Sequence, residues 1–189
     1  MPRPVCVYDA NVLYPAQLRD LLMRLAVHGL VRAHWTEEIH EEWTRNVLAD
    51  HPDLRRADLR RTRQLMDRAL PDACVEGYEH RLFDLTLPDP GDRHLLAAAI
   101  AIEATCIVTF NLKDFPEDRL QPYGVEAGHP DTFILSLLRD REDAVIEVMR
   151  RHLQSLRNPP ASVSAYLHIL QRAGLSETVE TIDARRAEV

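Results

Sequence analysis

Two short runs of consecutive apolar residues most constrain the fold of this chain, because they lie far apart in the sequence. PVCVY (residues 4–8) and TCIVTF (105–110) are continuous and apolar, without the alternation of a strand that faces water on one side. Such runs are typical of strands buried on both faces of a parallel sheet. Helical patterns fill most of the sequence between them, which predicts parallel strands joined by helical crossovers.

The predicted helices follow apolar residues at helical spacing and begin or end at capping and breaking residues. Before the second strand they cover about 16–30, 36–49, 53–70 and 92–104, and an irregular loop fills 73–91. A third small strand is predicted near Val125, followed by helices at 131–139, 141–157, 162–173 and 176–187. We therefore expect an α/β domain over residues 1–127 and a helical extension over residues 128–189.

Composition and the first residues indicate an ordinary globular protein of the cytoplasm. The chain has 189 residues, 46% of them hydrophobic, which is enough for one medium domain with a core. No apolar run approaches the length of a membrane span, and the N-terminal stretch lacks the apolar segment of a signal peptide. Cys6, Cys74 and Cys106 form no CxxC pair, which predicts free thiols in a reducing compartment.

Acidic and amide side chains follow both predicted strands. Asp9 ends the first, and Asn111 and Asp114 follow the second. Because the C-terminal ends of parallel strands line one crevice, these side chains are expected to share an edge of the sheet. Asp92 opens the helix before the second strand, and a simple two-layer crossover would place that helix start at the opposite edge. Topology alone therefore does not bring Asp92 into the crevice.

The segment DPGD (89–92) has the features of a well-capped helix start. Asp89 at the cap, Pro90 at the first helical position and Asp92 one turn later would satisfy free backbone N–H groups and the helix dipole. Taken alone, this segment predicts capping without chemistry.

Glu42 lies on the apolar face of the predicted helix 36–49, together with Ile39, Trp43, Asn46 and Val47. A carboxylate on an apolar face is costly unless it is paired or bound to a cation. A pair with Arg45 at i+3 and a metal ligand are both compatible with this position.

Several carboxylates in one crevice would favour a hard divalent cation. Without one they repel one another and their pKa values rise. Oxygen ligands select Mg²⁺ or Mn²⁺, whereas the nine histidines and three cysteines show no zinc-ligand spacing. Two such ions can activate a water and stabilise the leaving oxygen of a phosphodiester.

A basic helix is predicted within this acidic chain, whose formal net charge is −7. The stretch LRRADLRRTRQLMDR (54–68) carries only two acids and six arginines, namely Arg55, Arg56, Arg60, Arg61, Arg63 and Arg68. It is either a solvated helix face or an arm that contacts phosphates, for which the fork of the arginine guanidinium is suited.

Four segments together resemble the PIN domain family, most closely the VapC-type toxin nucleases with a C-terminal helical extension. They are VYDANVLYPA, TEEIHEEWTRNV, DPGDRHLLAAAI and IVTFNLKDFP, in the family's order and spacing over about residues 1–125. The resemblance implies a PIN-like three-layer α/β fold with a parallel twisted sheet flanked by helices, plus an all-helical extension. It also implies an endoribonuclease that uses Mg²⁺ or Mn²⁺, with an RNA substrate, a cognate antitoxin and a homodimer as partners.

The resemblance also assigns residues to roles. Asp9, Glu42 and Asp92 would be the metal-binding and catalytic acids, with Asp114 as the fourth because Asn111 stands where many PIN domains carry an acid. Asp89 would remain the cap. Asn11, Thr109 and Asn111 would support the pocket by hydrogen bonding, and the basic helix would grip the RNA backbone through Arg55, Arg56, Arg60, Arg61 and Arg63.

Two other functions compete with the nuclease hypothesis. An inactive PIN scaffold for protein association is suggested by the acidic net charge and by the apolar residues Phe133, Leu135, Leu137 and Leu138. The four acids count against it, since a scaffold has no need to keep clustered charge. A phosphatase or phosphotransferase would require a nucleophilic DxD or DxT motif after the first strand. This chain has DANV there, with Asn11 at the third position, which counts against that function.

Overall fold

The centre of the protein is a four-stranded parallel sheet, in a computed structural model that describes residues 2–157 and 160–187. Its order is β2-β1-β3-β4, with strands at Val5–Tyr8 (β1), Arg32–His34 (β2), Cys106–Val108 (β3) and Glu126–Gly128 (β4). β1 and β3 are neighbours, and Cys6 lies opposite Cys106. The two apolar runs therefore form the middle of the sheet, which confirms the predicted α/β class with parallel strands.

Helices cover the sheet and continue into the C-terminal region. α5 packs on β1 and β3, α2 packs on β2, and α6 packs on β4. The helices lie at Ala10–Leu13 (α1), Ala16–Val27 (α2), Glu37–Asp50 (α3), Arg56–Ala69 (α4), Arg93–Ala101 (α5), Glu117–Leu120 (α6), Pro130–Asp140 (α7), Glu142–Ser155 (α8), Val163–Arg172 (α9) and Ser176–Ala187 (α10).

The structure corrects several of the predictions made from local sequence. β2 was not predicted, because it has only three residues, lies at the edge of the sheet and includes the exposed Arg32. The predicted strand 105–110 is shortened to Cys106–Val108, and the predicted loop 73–91 contains a 3₁₀ helix at Glu79–Asp84. The inward face of α3 contains the buried His40 rather than Asn46, which is exposed.

The C-terminal helices are joined to one another by buried apolar and polar contacts. Phe133, Leu137 and Leu138 of α7 are buried. The buried carboxylate of Asp131 accepts hydrogen bonds from the backbone N–H groups of Glu177 (2.8 Å) and Thr178 (2.9 Å) at the start of α10.

Within residues 2–157 and 160–187, no helix is both long enough and apolar enough to cross a membrane. The division at residues 127 and 128 stays a prediction.

Candidate acidic site at the sheet edge

Asp9 lies directly after β1 and is held by a fixed set of hydrogen bonds. Its side chain is only 5% exposed. Oδ2 accepts from the hydroxyl of Thr109 (2.6 Å) and from Nδ2 of Asn11 (2.5 Å). Burial raises the pKa of Asp9, and the hydrogen bonds oppose that rise. The carboxylate is therefore oriented by the end of the neighbouring strand.

Thr109 joins the ends of β1 and β3. Besides donating to Asp9, its hydroxyl accepts from Nδ2 of Asn11 (3.0 Å) and from the backbone N–H of Asn111 (2.9 Å). Nδ2 of Asn111 in turn donates to Asp114. The three residues expected to support the pocket thus form one network that contacts Asp9 and Asp114.

Glu42 reaches this edge from α3. Burial raises its pKa, the charge of Asp9 adds to the rise, and the charge of Arg45 opposes it. Although Arg45 is near enough to act on Glu42, neither a hydrogen bond nor an ion pair links the two side chains. Of the two alternatives for Glu42, the pair with Arg45 is not formed.

Arg19 contacts both the end of α1, the helix that follows Asp9, and α3, the helix that carries Glu42. Its guanidinium donates to the backbone carbonyls of Leu13 (2.5 Å) and Tyr14 (3.3 Å), at the end of α1. It also lies over the ring of Trp43, 4.5 Å from the ring centroid, next to Glu42 on α3. A cation stacked on an aromatic ring is a favourable contact in such a half-buried position.

Asp92 is the acid on which the other charges act together. Its pKa is raised to about 7, first by burial and then by the negative charges of Asp9, Asp89, Asp114 and Glu42. Asp89 accepts from the backbone N–H of Gly91 (2.7 Å) and caps the 3₁₀ turn Pro90–Asp92, as predicted. The Asp92 side chain makes no capping hydrogen bond, so its carboxylate is not used by the backbone.

The donor chemistry of this site fits a hard divalent cation. In the described parts of the chain, no three His, Cys, Asp or Glu side chains lie close enough to hold a metal ion as they stand. Burial is the first cause of the raised pKa values of Asp9, Glu42 and Asp92, and the charges of neighbouring acids add to the rise for Glu42 and Asp92. A bound cation would favour the charged form of each carboxylate. Because Glu42 and Asp92 are not held by hydrogen bonds, both side chains are free to turn towards a shared ion.

Sequence reasoning missed a buried histidine beside the acids. His94 is 4% exposed, and Nδ1 has no hydrogen-bond partner although it lies 3.7 Å from Oε2 of Glu38. Burial lowers the pKa of His94, while the charges of Glu38 and Asp9 oppose that shift. Two spacings could have indicated this pair, since His94 follows Asp92 by two residues and Glu38 lies one turn before Glu42.

The arginines of the basic helix differ in how they are held. Arg55, just before α4, donates from Nε and Nη2 to the two oxygens of Asp58 (2.9 and 2.8 Å). Arg63 is half-buried and pairs with Glu37 on α3. Arg56, Arg60 and Arg61 are exposed. The structure brings none of these arginines into the hydrogen-bond network around Asp9.

Comparison with known proteins gives two family matches and one curated relative. The family described as "PIN domain" matches residues 5–113, and the one described as "VapC50 C-terminal domain" matches residues 130–184. A Mycobacterium tuberculosis protein with the name "Putative ribonuclease VapC50" is 43% identical over 79 residues, which are 42% of this chain and 47% of the relative. The match thus spans about half the length of that relative. No solved structure gives a significant match.

Proposed function

This chain belongs to the PIN domain family, and from that premise we propose that it is an endoribonuclease that cleaves RNA phosphodiester bonds with Mg²⁺ or Mn²⁺. The observation that carries the proposal is the hydrogen-bond network at the ends of β1 and β3, in which Thr109 and Asn11 hold the carboxylate of Asp9 and Asn111 holds that of Asp114. The charges of Asp9, Asp114 and Glu42 act together on Asp92, whose pKa is raised first by burial and then by these and the Asp89 charge. Acids from four separate segments that act on one another at the end of a parallel sheet are suited to hold a cation against a phosphodiester.

Four acids would hold the ion or ions, namely Asp9, Glu42, Asp92 and Asp114. The cation, when bound, lowers the pKa of a water and offsets the negative charge of the phosphate. Thr109 and Asn11 fix the carboxylate of Asp9, and Asn111 fixes that of Asp114. In the reaction the water oxygen bonds to phosphorus while a carboxylate of the site takes up the proton that the water loses. The bond from phosphorus to one ester oxygen of the RNA breaks, and that oxygen takes up a proton.

The inactive-scaffold alternative has less support. Of the apolar residues that suggested an association surface, Phe133, Leu137 and Leu138 are buried within the chain itself. The role as a toxin, a cognate antitoxin, a homodimer and a cytoplasmic location rest on the resemblance and composition and remain proposals.

Replacing Asp9 tests the nuclease directly. Asp9→Asn keeps the size of the side chain and removes the charge, so we expect RNA cleavage in Mn²⁺ to fall by at least about 100-fold. A panel of labelled RNAs should be used, with Glu180→Gln as the control, because Glu180 is an exposed acid on α10 outside the acidic site. Equal cleavage by wild type and Asp9→Asn would refute the proposal, and Glu180→Gln should cleave normally.

A further inference from the structure

A groove runs between α3 and α4, and its lining includes Arg45, whose charge acts on Glu42. α3 contributes Glu41, Arg45, Leu48 and Ala49 to its lining, and α4 contributes Arg56 and Arg63. Its volume is about 620 Å³, within the size range of sites that hold small ligands. The groove is therefore large enough for part of a nucleotide chain.

Two arginines of the groove have guanidinium groups available for a ligand. Arg45 and Arg56 are exposed, and neither makes a hydrogen bond or ion pair with any residue that the structure describes. Arg63 is held by Glu37 and fixes the side of the groove. A guanidinium binds a phosphate through two parallel N–H donors, which gives it both strength and orientation.

The groove also adjoins the acids. Arg45 lies three residues after Glu42 on α3, and its charge acts on that carboxylate. Between the arginines, Leu48 and Ala49 provide an apolar surface. A chain lying in the groove would thus meet positive charge and apolar surface immediately before it reaches the acidic site.

We propose that this groove binds the backbone of a single RNA strand, with Arg45 and Arg56 contacting phosphates next to the bond that is cut. The inference rests on the proposed function and adds the residues that hold the substrate there. RNA is favoured over an acidic peptide because the groove leads to a site suited to phosphodiesters. Glu41 on the rim limits the positive charge of the groove, so the contacts depend on the two free arginines.

Two exposed arginines of the C-terminal helices supply a matched control. Arg139 on α7 and Arg172 on α9 make no hydrogen bond or ion pair with any residue that the structure describes. The double variants R45A/R56A and R139A/R172A remove the same charge, one pair inside the groove and the other outside it. Arg60, which lies on the same face of α4 as Arg56, stays unchanged in both.

The test measures binding of the full chain to a fluorescent single-stranded RNA of mixed sequence, about 16 nucleotides long. Anisotropy is recorded in EDTA, so that metal-dependent cleavage is absent, between about 50 and 200 mM salt. We expect R45A/R56A to bind about tenfold more weakly and to lose about 0.7 of salt slope per phosphate contact. R139A/R172A should stay within about twofold of wild type. The single variant R56A, which leaves Arg45 and Glu42 untouched, should show part of the loss.

Equal losses in the two double variants would overturn the inference, because they would indicate general attraction without a groove. The inference would also be overturned if neither double variant changed the affinity for RNA, or if the wild type bound no RNA. Displacement of the RNA by poly-L-glutamate as readily as by unlabelled RNA would assign the groove to acidic protein segments instead. If R45A/R56A alone loses binding but wild type with Mn²⁺ cuts no RNA, the nuclease proposal fails and the groove assignment stands.

Discussion

The hydroxyl of Thr109 has three partners, and each of them belongs to the proposed site. It donates to Asp9 and accepts from Asn11 and Asn111, so one oxygen links the ends of two neighbouring strands. Groups that orient a metal ligand are worth about 10–100-fold in metal affinity. The position of Asp9 therefore depends on a residue that carries no charge.

Thr109→Val should weaken the binding of Mn²⁺ by about 10–100-fold, because valine has the shape of threonine without the hydroxyl that holds Asp9. The measurement is a calorimetric titration with Mn²⁺, and denaturant unfolding checks that the variant folds. Thr109→Ser keeps the hydroxyl and should bind within a few-fold of wild type. If the Thr109→Val and Thr109→Ser variants bind Mn²⁺ equally well, the hydroxyl of Thr109 does not position Asp9 for metal binding.

At this scale the sequence was most informative about the charged residues. Asp9 and Asp114 could be chosen because they follow strands, and Glu42 because it lies on an apolar face. The hydrogen bonds of Thr109 could not be derived from spacing, since they join residues far apart in the chain; only the family resemblance implied them. His94 was missed because a histidine in an apolar helix is more often part of a core.

Among the helices, α5 explains why Asp92 reaches the other acids. The helix leads directly into β3, so its last turn lies near the beginning of that strand and its first turn near the strand's C-terminal end. A crossover helix that runs antiparallel to the strands starts at the edge where the preceding strand ends. The direction of the helix therefore supplies the step that topology alone left open for Asp92.

The strands differ in how far local sequence determines them. β1 and β3 are buried in the middle of the sheet and need continuous apolar residues, which made them predictable. β2 is an edge strand, and its pairing with β1 rather than its own composition defines it. Its discovery requires the tertiary structure, because a three-residue segment with an exposed arginine has no strand pattern of its own.

The turn between α9 and α10 connects the C-terminal helices to the site through Phe110. Gly174 has a φ of +89°, and a Cβ on it would lie 2.7 Å from Cε1 of Phe110. The backbone N–H of Phe110 donates to Oδ1 of Asn11 (3.1 Å), and its ring packs edge-on against His129. A change at Gly174 therefore acts on a neighbour of Asp9.

Gly174→Ala should destabilise the protein by about 1 kcal/mol through its backbone conformation and by a further 1–3 kcal/mol, roughly, through the contact with Phe110. Gly124→Ala is the matched control, because Gly124 has a φ of +68° and nothing within 4 Å of the added Cβ. Denaturant unfolding of both variants gives the comparison. Equal losses in the free energy of unfolding of the two variants would mean that the ring of Phe110 moves aside without destabilising the protein.

Taken as a whole, the molecule places several of its acids where they repel one another. The folded chain of net charge −7 concentrates Asp9, Glu42 and Asp92 at one edge. A group whose folded-state pKa lies above its unfolded value binds protons more tightly in the folded state. Stability from such a group is present at low pH and is lost as the pH rises through the interval between the two values.

For Asp92 this interval runs from its ordinary pKa of 3.8 to about 7 in the folded protein. The stability of the metal-free protein should fall over this range through Asp92, with Asp9 and Glu42 acting in the same direction. The buried His40 and His94 have lowered pKa values and act oppositely, because their stabilisation is lost as the pH falls. The pH profile of the wild type alone therefore mixes the two effects.

The difference in stability between wild type and Asp92→Asn isolates the contribution of the Asp92 carboxylate to the pH profile. Without metal, Asp92→Asn should become progressively more stable than wild type as the pH rises from about 4 to about 8, because asparagine carries no charge. Mn²⁺ should raise the Tm of wild type more at about pH 8 than at about pH 5, since protons compete for the carboxylates, and should raise that of the variant less. Thermal unfolding in EDTA and in Mn²⁺ measures both. A difference that does not change with pH would show that the pKa of Asp92 is not raised in the folded protein.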